Sequence, residues 1–105
     1  MQVKLSIIIV NYKSRAYLEK CLASIFSKLD SNIVSYEVIV VNNSFEQELV
    51  GLKSAFPNIE IIQNQKNSGF GNANNLGAKE AQGELLFFLN PDTEIITNDI
   101  SLVTK

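Results

Sequence analysis

Two rhythms of apolar residues alternate along this chain. Residues 3–10 end in an unbroken run, Ile7, Ile8, Ile9 and Val10, that is β-branched and apolar on both faces, which predicts a central strand. Leu18, Cys21, Leu22, Ile25 and Leu29 then recur at helical spacing, with Ser14 placed to cap the helix they define. Cys21 therefore reads as a small core residue rather than a reactive thiol. Residues 37–41 predict a second strand, and a short helix around residues 47–54 turns Leu49 and Leu52 inward. Pro57 and Asn58 turn the chain into a third strand, residues 59–63. A third helix falls within residues 71–82 and Gly83 ends it. Residues 84–89 predict a fourth strand, and a further helix is expected from Asn98 onward.

The order is therefore β-α-β-α-β-α-β. Strands apolar on both faces that alternate with amphipathic helices predict an α/β fold, a Rossmann-like parallel sheet with helices on both sides. Right-handed crossovers restrict the topology. If the first three strands wind outward and the fourth returns beside the first, the strand order is 3-2-1-4. Such a sheet takes its ligand at the switch point, at the carboxyl ends of strands one and four. Asn11 and Tyr12 follow strand one, and Asn90 and Asp92 follow strand four.

Composition narrows the function more than the fold. With 105 residues one domain is expected, and a 46% hydrophobic, 19% charged chain is too apolar for disorder. A net charge of −2 with singly scattered basic residues argues against a nucleic-acid binder. The single cysteine allows no internal disulfide, and no stretch reads as a signal peptide or membrane span, so a cytoplasmic location is expected. There is no histidine, which removes the commonest general base and zinc ligand and every Ser-His-Asp or Cys-His arrangement.

Three stretches carry candidate chemistry. "LNPDTE", residues 89–94, breaks an apolar run with a carboxylate at the switch point. Asp92 there is either a hard-oxygen ligand for a divalent cation that bridges to a diphosphate, or a turn residue. "VVNNSF", residues 40–45, either offers Asn42, Asn43 and Ser44 to a base or ribose, or forms an Asx turn. "NSGFGNANNLG", residues 67–77, fails the dinucleotide fingerprint because Asn74 stands in place of the third glycine, and because it follows strand three. Ala73, Gly77 and Ala81 read as a small face for close packing on the sheet. Gly69 and Gly71 read as backbone freedom before a helix whose amino terminus favours an anion.

Taken together, "LSIIIVNYKSRAYLEKCLASI", "YEVIVVNNS" and "NSGFGNANNLGAKEAQGELLFFLNPDTEI" resemble the N-terminal half of family 2 glycosyltransferases, in particular the rhamnosyltransferase-like branch. The resemblance covers nearly the whole chain, residues 1–105, and implies the nucleotide-sugar-binding part of the A-type glycosyltransferase fold, left incomplete after strand four. It implies that Asn11 and Tyr12 hold the nucleotide base and that Asn42 stands where the family places an aspartate. It further implies that Asn75 lines the nucleotide pocket, and that Asn90 and Asp92 occupy the metal motif, with Asp92 the one charged ligand for Mn²⁺ or Mg²⁺. The implied reaction moves a sugar from a nucleoside-diphosphate sugar to an unknown acceptor, as in polysaccharide biosynthesis. The catalytic base is expected beyond Lys105, so this chain is expected to bind nucleotide without transferring sugar, and the complete enzyme to be cytoplasmic or membrane-peripheral. The alternative is a non-catalytic nucleotide- or protein-binding module. An uncovered fourth strand also raises the expectation of a homodimer through that strand.

Overall fold

A computed structural model describes residues 3–32, 34–64 and 69–95. Its strands are β1 (Leu5–Asn11), β2 (Tyr36–Asn42), β3 (Ile59–Gln63) and β4 (Leu85–Leu89). All pair in parallel, in the order β3-β2-β1-β4. The expected topology is thus observed. The helix expected from Asn98 lies outside the described residues.

The sheet separates two apolar layers. On one face Leu5, Ile7, Ile9, Val38, Val40 and Ile59 pack against α1 (Arg15–Lys28), which contributes Leu18, Cys21, Leu22 and Ile25. On the other, Ile8, Val10, Ile39 and Val41 pack against α3 (Gly69–Glu80) through Ala73. The alternation along β1 is the period-two geometry of a strand, so burying both faces calls for consecutive apolar residues, as from Ile7 to Val10. Gly77 lets α3 lie flat on the sheet: a Cβ there would stand 2.6 Å from Ile8 Cγ2.

At the opposite edge from the switch point, Ser6 and Glu37 tie the entrance of β4 to the sheet. Ser6 Oγ donates to Glu37 Oε2 at 2.5 Å and accepts from the Gly83 amide at 2.8 Å. The Gln82 amide donates to the same Glu37 oxygen at 2.6 Å. Gly83 is therefore not the helix stop that its position suggests. The helix ends at Glu80, and Gly83 is a close-approach residue against β1.

Three further expectations change. The single short helix is two pieces, a 3₁₀ turn at Glu46–Leu49 and α2 at Leu52–Ala55, divided by Gly51 at φ 86°. Leu49 and Leu52 are buried as expected. Ser14 occupies the N-cap position of α1, but its hydroxyl donates to the Tyr12 carbonyl and caps nothing. Gly71 lies inside α3 without a positive φ, whereas Gly69 opens that helix at φ 85°.

Among the described residues β4 pairs with β1 alone. Leu85, Phe87 and Leu89 pack into the α1-side core, while Leu86 and Phe88 on the α3 side are 43% and 47% exposed. After β4 the chain turns back over α1, where the Ile95 amide donates to Ser24 Oγ at 2.8 Å. The structure gives no support for the homodimer expected through strand four.

That same return segment shapes Cys21, which is fully buried. Burial pushes its thiol up to about 11 from the ordinary 9.0, a hydrogen bond with Thr93 opposes the rise, and the charges of Glu94 and Asp92 add to it. The folded chain therefore keeps this proton where the unfolded chain loses it. The resulting stability is complete below pH 9.0 and disappears as pH rises toward about 11. A thiol-specific chromogenic reagent at pH 8 is expected to leave the native protein unlabelled and to react fully in denaturant; rapid native labelling would contradict the burial.

Candidate functional site

The carboxyl edge of the sheet carries a row of amides. Parallel register sets Asn11 beside Asn42, and Asn42 beside Gln63. Asn11 Nδ2 donates to Asn42 Oδ1 at 3.1 Å, and Asn42 Nδ2 donates to Gln63 Oε1 at 2.8 Å and to the Phe45 carbonyl at 3.0 Å. Asn42 Oδ1 also accepts from the Ser44 amide at 3.2 Å. A side-chain amide has two donor hydrogens and two acceptor lone pairs. Asn42 spends all four within the protein, and Asn11 and Asn42 are both fully buried. Asn42 thus satisfies the turn after β2, as the Asx-turn reading anticipated, and its amide has no free donor or acceptor for a base.

Above this row sits the β1–α1 turn. Lys13 has φ 54°, a left-handed conformation that costs a side-chain-bearing residue about 1–2 kcal/mol. Its amide is aimed at the neighbouring loop, where Ser44 Oγ accepts at 2.7 Å and Glu48 Oε1 at 3.1 Å. Glu48 Oε1 also accepts from Asn11 Nδ2. Arg15 works in the reverse direction, donating through one nitrogen to the carbonyls of Glu48 and Val50, each at 2.7 Å. Tyr12, at the crest of the turn, is 41% exposed, and the Lys13 ammonium stands 5.3 Å from its ring centroid.

The turn after β4 closes the other side. The Thr93 amide donates to the Asn90 carbonyl at 3.1 Å, and the Thr93 hydroxyl reaches the same oxygen. Asp92 is exposed, and its carboxylate accepts no hydrogen bond among the described residues, so the turn is held by Thr93 and not by Asp92. Asn75 is exposed on α3, and Asn90 is exposed beside Pro91. Val10, Asn74, Phe88, Leu89, Asn90 and Pro91 line a small cavity of about 40 Å³ at this junction. A larger cavity, about 730 Å³, opens at the far edge of the sheet among Phe26, Tyr36 and Phe56. The acid on its wall, Glu37, is already engaged by Ser6 and Gln82, so no convergent chemistry gathers there.

The structure thus brings Asn11 and Asn42 into one buried network, leaves Tyr12 exposed on the β1 turn, and sets Asn90 and Asp92 on the turn after the adjacent strand. Glu48, Lys13, Arg15 and Gln63 belong to the same edge, although their spacing in the sequence gives no hint of it. Among the described residues no group of three or more acids, cysteines or histidines could hold a metal by itself. One carboxylate beside a neutral amide suits Mg²⁺ or Mn²⁺ where phosphate oxygens complete the shell.

Comparison with known proteins decides the family. The profile of Glycosyl transferase family 2 matches residues 6–105. The chain belongs to this family. An uncharacterized glycosyltransferase of Bacillus subtilis, YwdF, is 33% identical over 105 residues, covering 98% of this chain and 38% of its own length. The low-salt glycan biosynthesis hexosyltransferase Agl10 of Haloferax volcanii is 38% identical over 100 residues, covering 91% of this chain and 30% of that protein. The crystal structure of Staphylococcus aureus TarS 1-349 in complex with UDP-GlcNAc superposes with a TM-score of 0.79 at 28% identity, over 95% of this chain and 29% of that one. The family 2 chain therefore has the A-type glycosyltransferase sheet, and it spans about a third of the length of these relatives. No helix among its described residues is long and apolar enough to cross a membrane.

Proposed function

We propose that this chain supplies the nucleotide-binding part of an enzyme that transfers a sugar from a nucleoside-diphosphate sugar to a hydroxyl acceptor. The observation that carries the reading is the convergence, in a family 2 chain, of the exposed Tyr12 turn and the exposed Asp92 turn at the carboxyl edges of adjacent strands. An open α/β sheet takes its ligand there. Tyr12 offers a ring face for stacking on the base, Asn90 lies in the turn after β4, and Asn75 is assigned to the pocket by the family resemblance. Asn11 and Asn42 act from beneath, holding the turns after β1 and β2 in place. The UDP-GlcNAc bound by TarS makes uridine diphosphate the first probe.

Asp92, with Asn90 beside it, would hold a divalent cation. The cation would neutralise charge on the departing diphosphate. Asp92 suits the task because it is exposed and has no hydrogen-bonding duty among the described residues. The rhamnosyltransferase-like branch is the favoured one. A binding module without chemistry is the second reading, favoured only if nucleotide binds without any response to metal.

Calorimetric titration with UDP, dTDP and GDP, with and without Mn²⁺, tests the proposal. One nucleotide is expected to bind weakly, to gain about tenfold in affinity from Mn²⁺, and to move the amide resonances of both turns. Asp92→Asn is expected to remove the Mn²⁺ gain without changing the melting temperature. An unchanged Mn²⁺ gain in that variant would return Asp92 to a plain turn residue.

A further inference from the structure

Glu48 stands out because it holds two strands' turns together with one oxygen. Its Oε1 accepts from Asn11 Nδ2 and from the Lys13 amide, and Oε2 accepts nothing among the described residues. The residue lies in the 3₁₀ turn after β2, while its donors lie at the end of β1 (Asn11) and in the turn that follows it (Lys13). Arg15, from the first turn of α1, grips the carbonyls of Glu48 and Val50 in return. The two loops are therefore locked reciprocally, an acid from the second accepting from the first and a base from the first donating to the second.

The lock acts on the one residue other than glycine that has a positive φ among the described residues. Lys13 adopts φ 54°, and relaxation of that residue to a negative φ would withdraw its amide from Glu48 and Ser44. It would also move Tyr12, whose carbonyl accepts from Ser14 Oγ and whose ring lies under the Lys13 ammonium. The Glu48 carboxylate and the Ser44 hydroxyl both accept from the Lys13 amide, and the charged acceptor holds it more strongly than the neutral one.

We propose that Glu48 is a positioning residue, which fixes the β1–α1 turn and with it the Tyr12 ring in the shape that receives a nucleoside diphosphate. The inference rests on the nucleotide reading given above. Glu48 touches no substrate; it acts through Lys13 and Asn11.

Two variants of the full chain separate reach from charge. Glu48→Gln keeps the length and an acceptor oxygen. Glu48→Asp keeps the charge but is one methylene too short to meet the turn. Two readouts are taken on each, amide hydrogen exchange at Lys13 and titration with UDP, dTDP and GDP in the presence of Mn²⁺. Glu48→Asp is expected to speed exchange at Lys13 and to lower nucleotide affinity by about tenfold, the factor of one charge-assisted hydrogen bond. Glu48→Gln, which keeps the reach but offers a neutral acceptor, is expected to fall between Glu48→Asp and the wild type in both, and the melting temperatures of the two variants to differ little. Unchanged exchange at Lys13 in Glu48→Asp would overturn the clamp, because Ser44 would then suffice. A loosened turn with unaltered affinity would overturn the positioning role. A wild-type chain that binds none of the three probes would overturn the nucleotide reading and the positioning role with it, while exchange at Lys13 would still report on the clamp itself.

Discussion

Gly83→Ala is expected to lower the melting temperature by about 10 °C, corresponding to a loss of about 2–3 kcal/mol in a chain of this size. A Cβ at this position would lie 2.5 Å from Ser6 Oγ, 2.6 Å from Ser6 N and 2.9 Å from the Leu5 carbonyl carbon. Two of those atoms are backbone of β1, which is hydrogen-bonded to β2 on one side and to β4 on the other. Neither can give way without disturbing the centre of the sheet. The methyl group would also drive off Ser6 Oγ, which accepts from Gly83 and donates to Glu37. Gly77→Ala is the internal comparison. There the contacts are methyl groups of Ile8 and Val41, at 2.6 Å and 3.2 Å. Side chains can shift, and replacing a helical glycine with alanine returns up to about 1 kcal/mol of helix propensity. Scanning calorimetry on both variants is expected to show Gly83→Ala melting well below Gly77→Ala; the reverse order would mean that β4 does not enter the sheet against Ser6.

Asn42→Asp is expected to destabilise the fold by about 2–3 kcal/mol, although it installs the acid that the family resemblance leads one to look for. The Oδ1 contacts survive the change, since a carboxylate accepts readily from Asn11 Nδ2 and the Ser44 amide. The Nδ2 contacts do not. The Phe45 carbonyl and Gln63 Oε1 would both face a second acceptor. Gln63 cannot rescue the site by turning over, because its own Nε2 donates to the carbonyls of Ser44 and Asn64. The charge would also be fully buried. Urea titration of the two proteins measures the difference. Equal midpoints would show that the amide's donors are dispensable and that the position is open to a base-binding acid.

The sheet was legible because strands covered on both faces must be apolar throughout, and β1 and β2 wrote that requirement into the chain plainly. The third strand, residues 59–63, was bounded correctly by Pro57 and Asn58 before it. β4 was harder. Five consecutive apolar residues predict burial on both sides, yet only Leu85, Phe87 and Leu89 are packed, since a residue run cannot say whether anything covers its second face. Gly51 hid the break in the second helix because its φ of 86° depends on tertiary context. Gly83 carried a helix-stop signal but serves a contact with Ser6, 77 positions away. At the site, Tyr12, Asn90 and Asp92 were legible as turn residues beyond strands. The Asx turn at Asn42 was legible, but the cross-strand bonds of Asn11 and Asn42 were not, because they follow from which residues the register sets side by side. Glu48 was invisible for the same reason: its partners come from another strand's turn.

The amide row has one more consequence, for how the strands find each other. Asn11, Asn42 and Gln63 share a single rung across three strands, on the face covered by α1 and the 3₁₀ turn. Sliding β2 by one residue would exchange its two faces wholesale. Sliding it by two would restore the faces but draw Asn42 into the place of Val40, among leucines and isoleucines that cannot accept a hydrogen bond. Each stranded amide would then cost about 1–3 kcal/mol. Strand cores made only of valine and isoleucine are nearly interchangeable along their length, so they glide. The three amides act as an index mark that makes only one alignment complete, and the same contacts that hold the ligand edge in shape also proofread the assembly of the sheet beneath it.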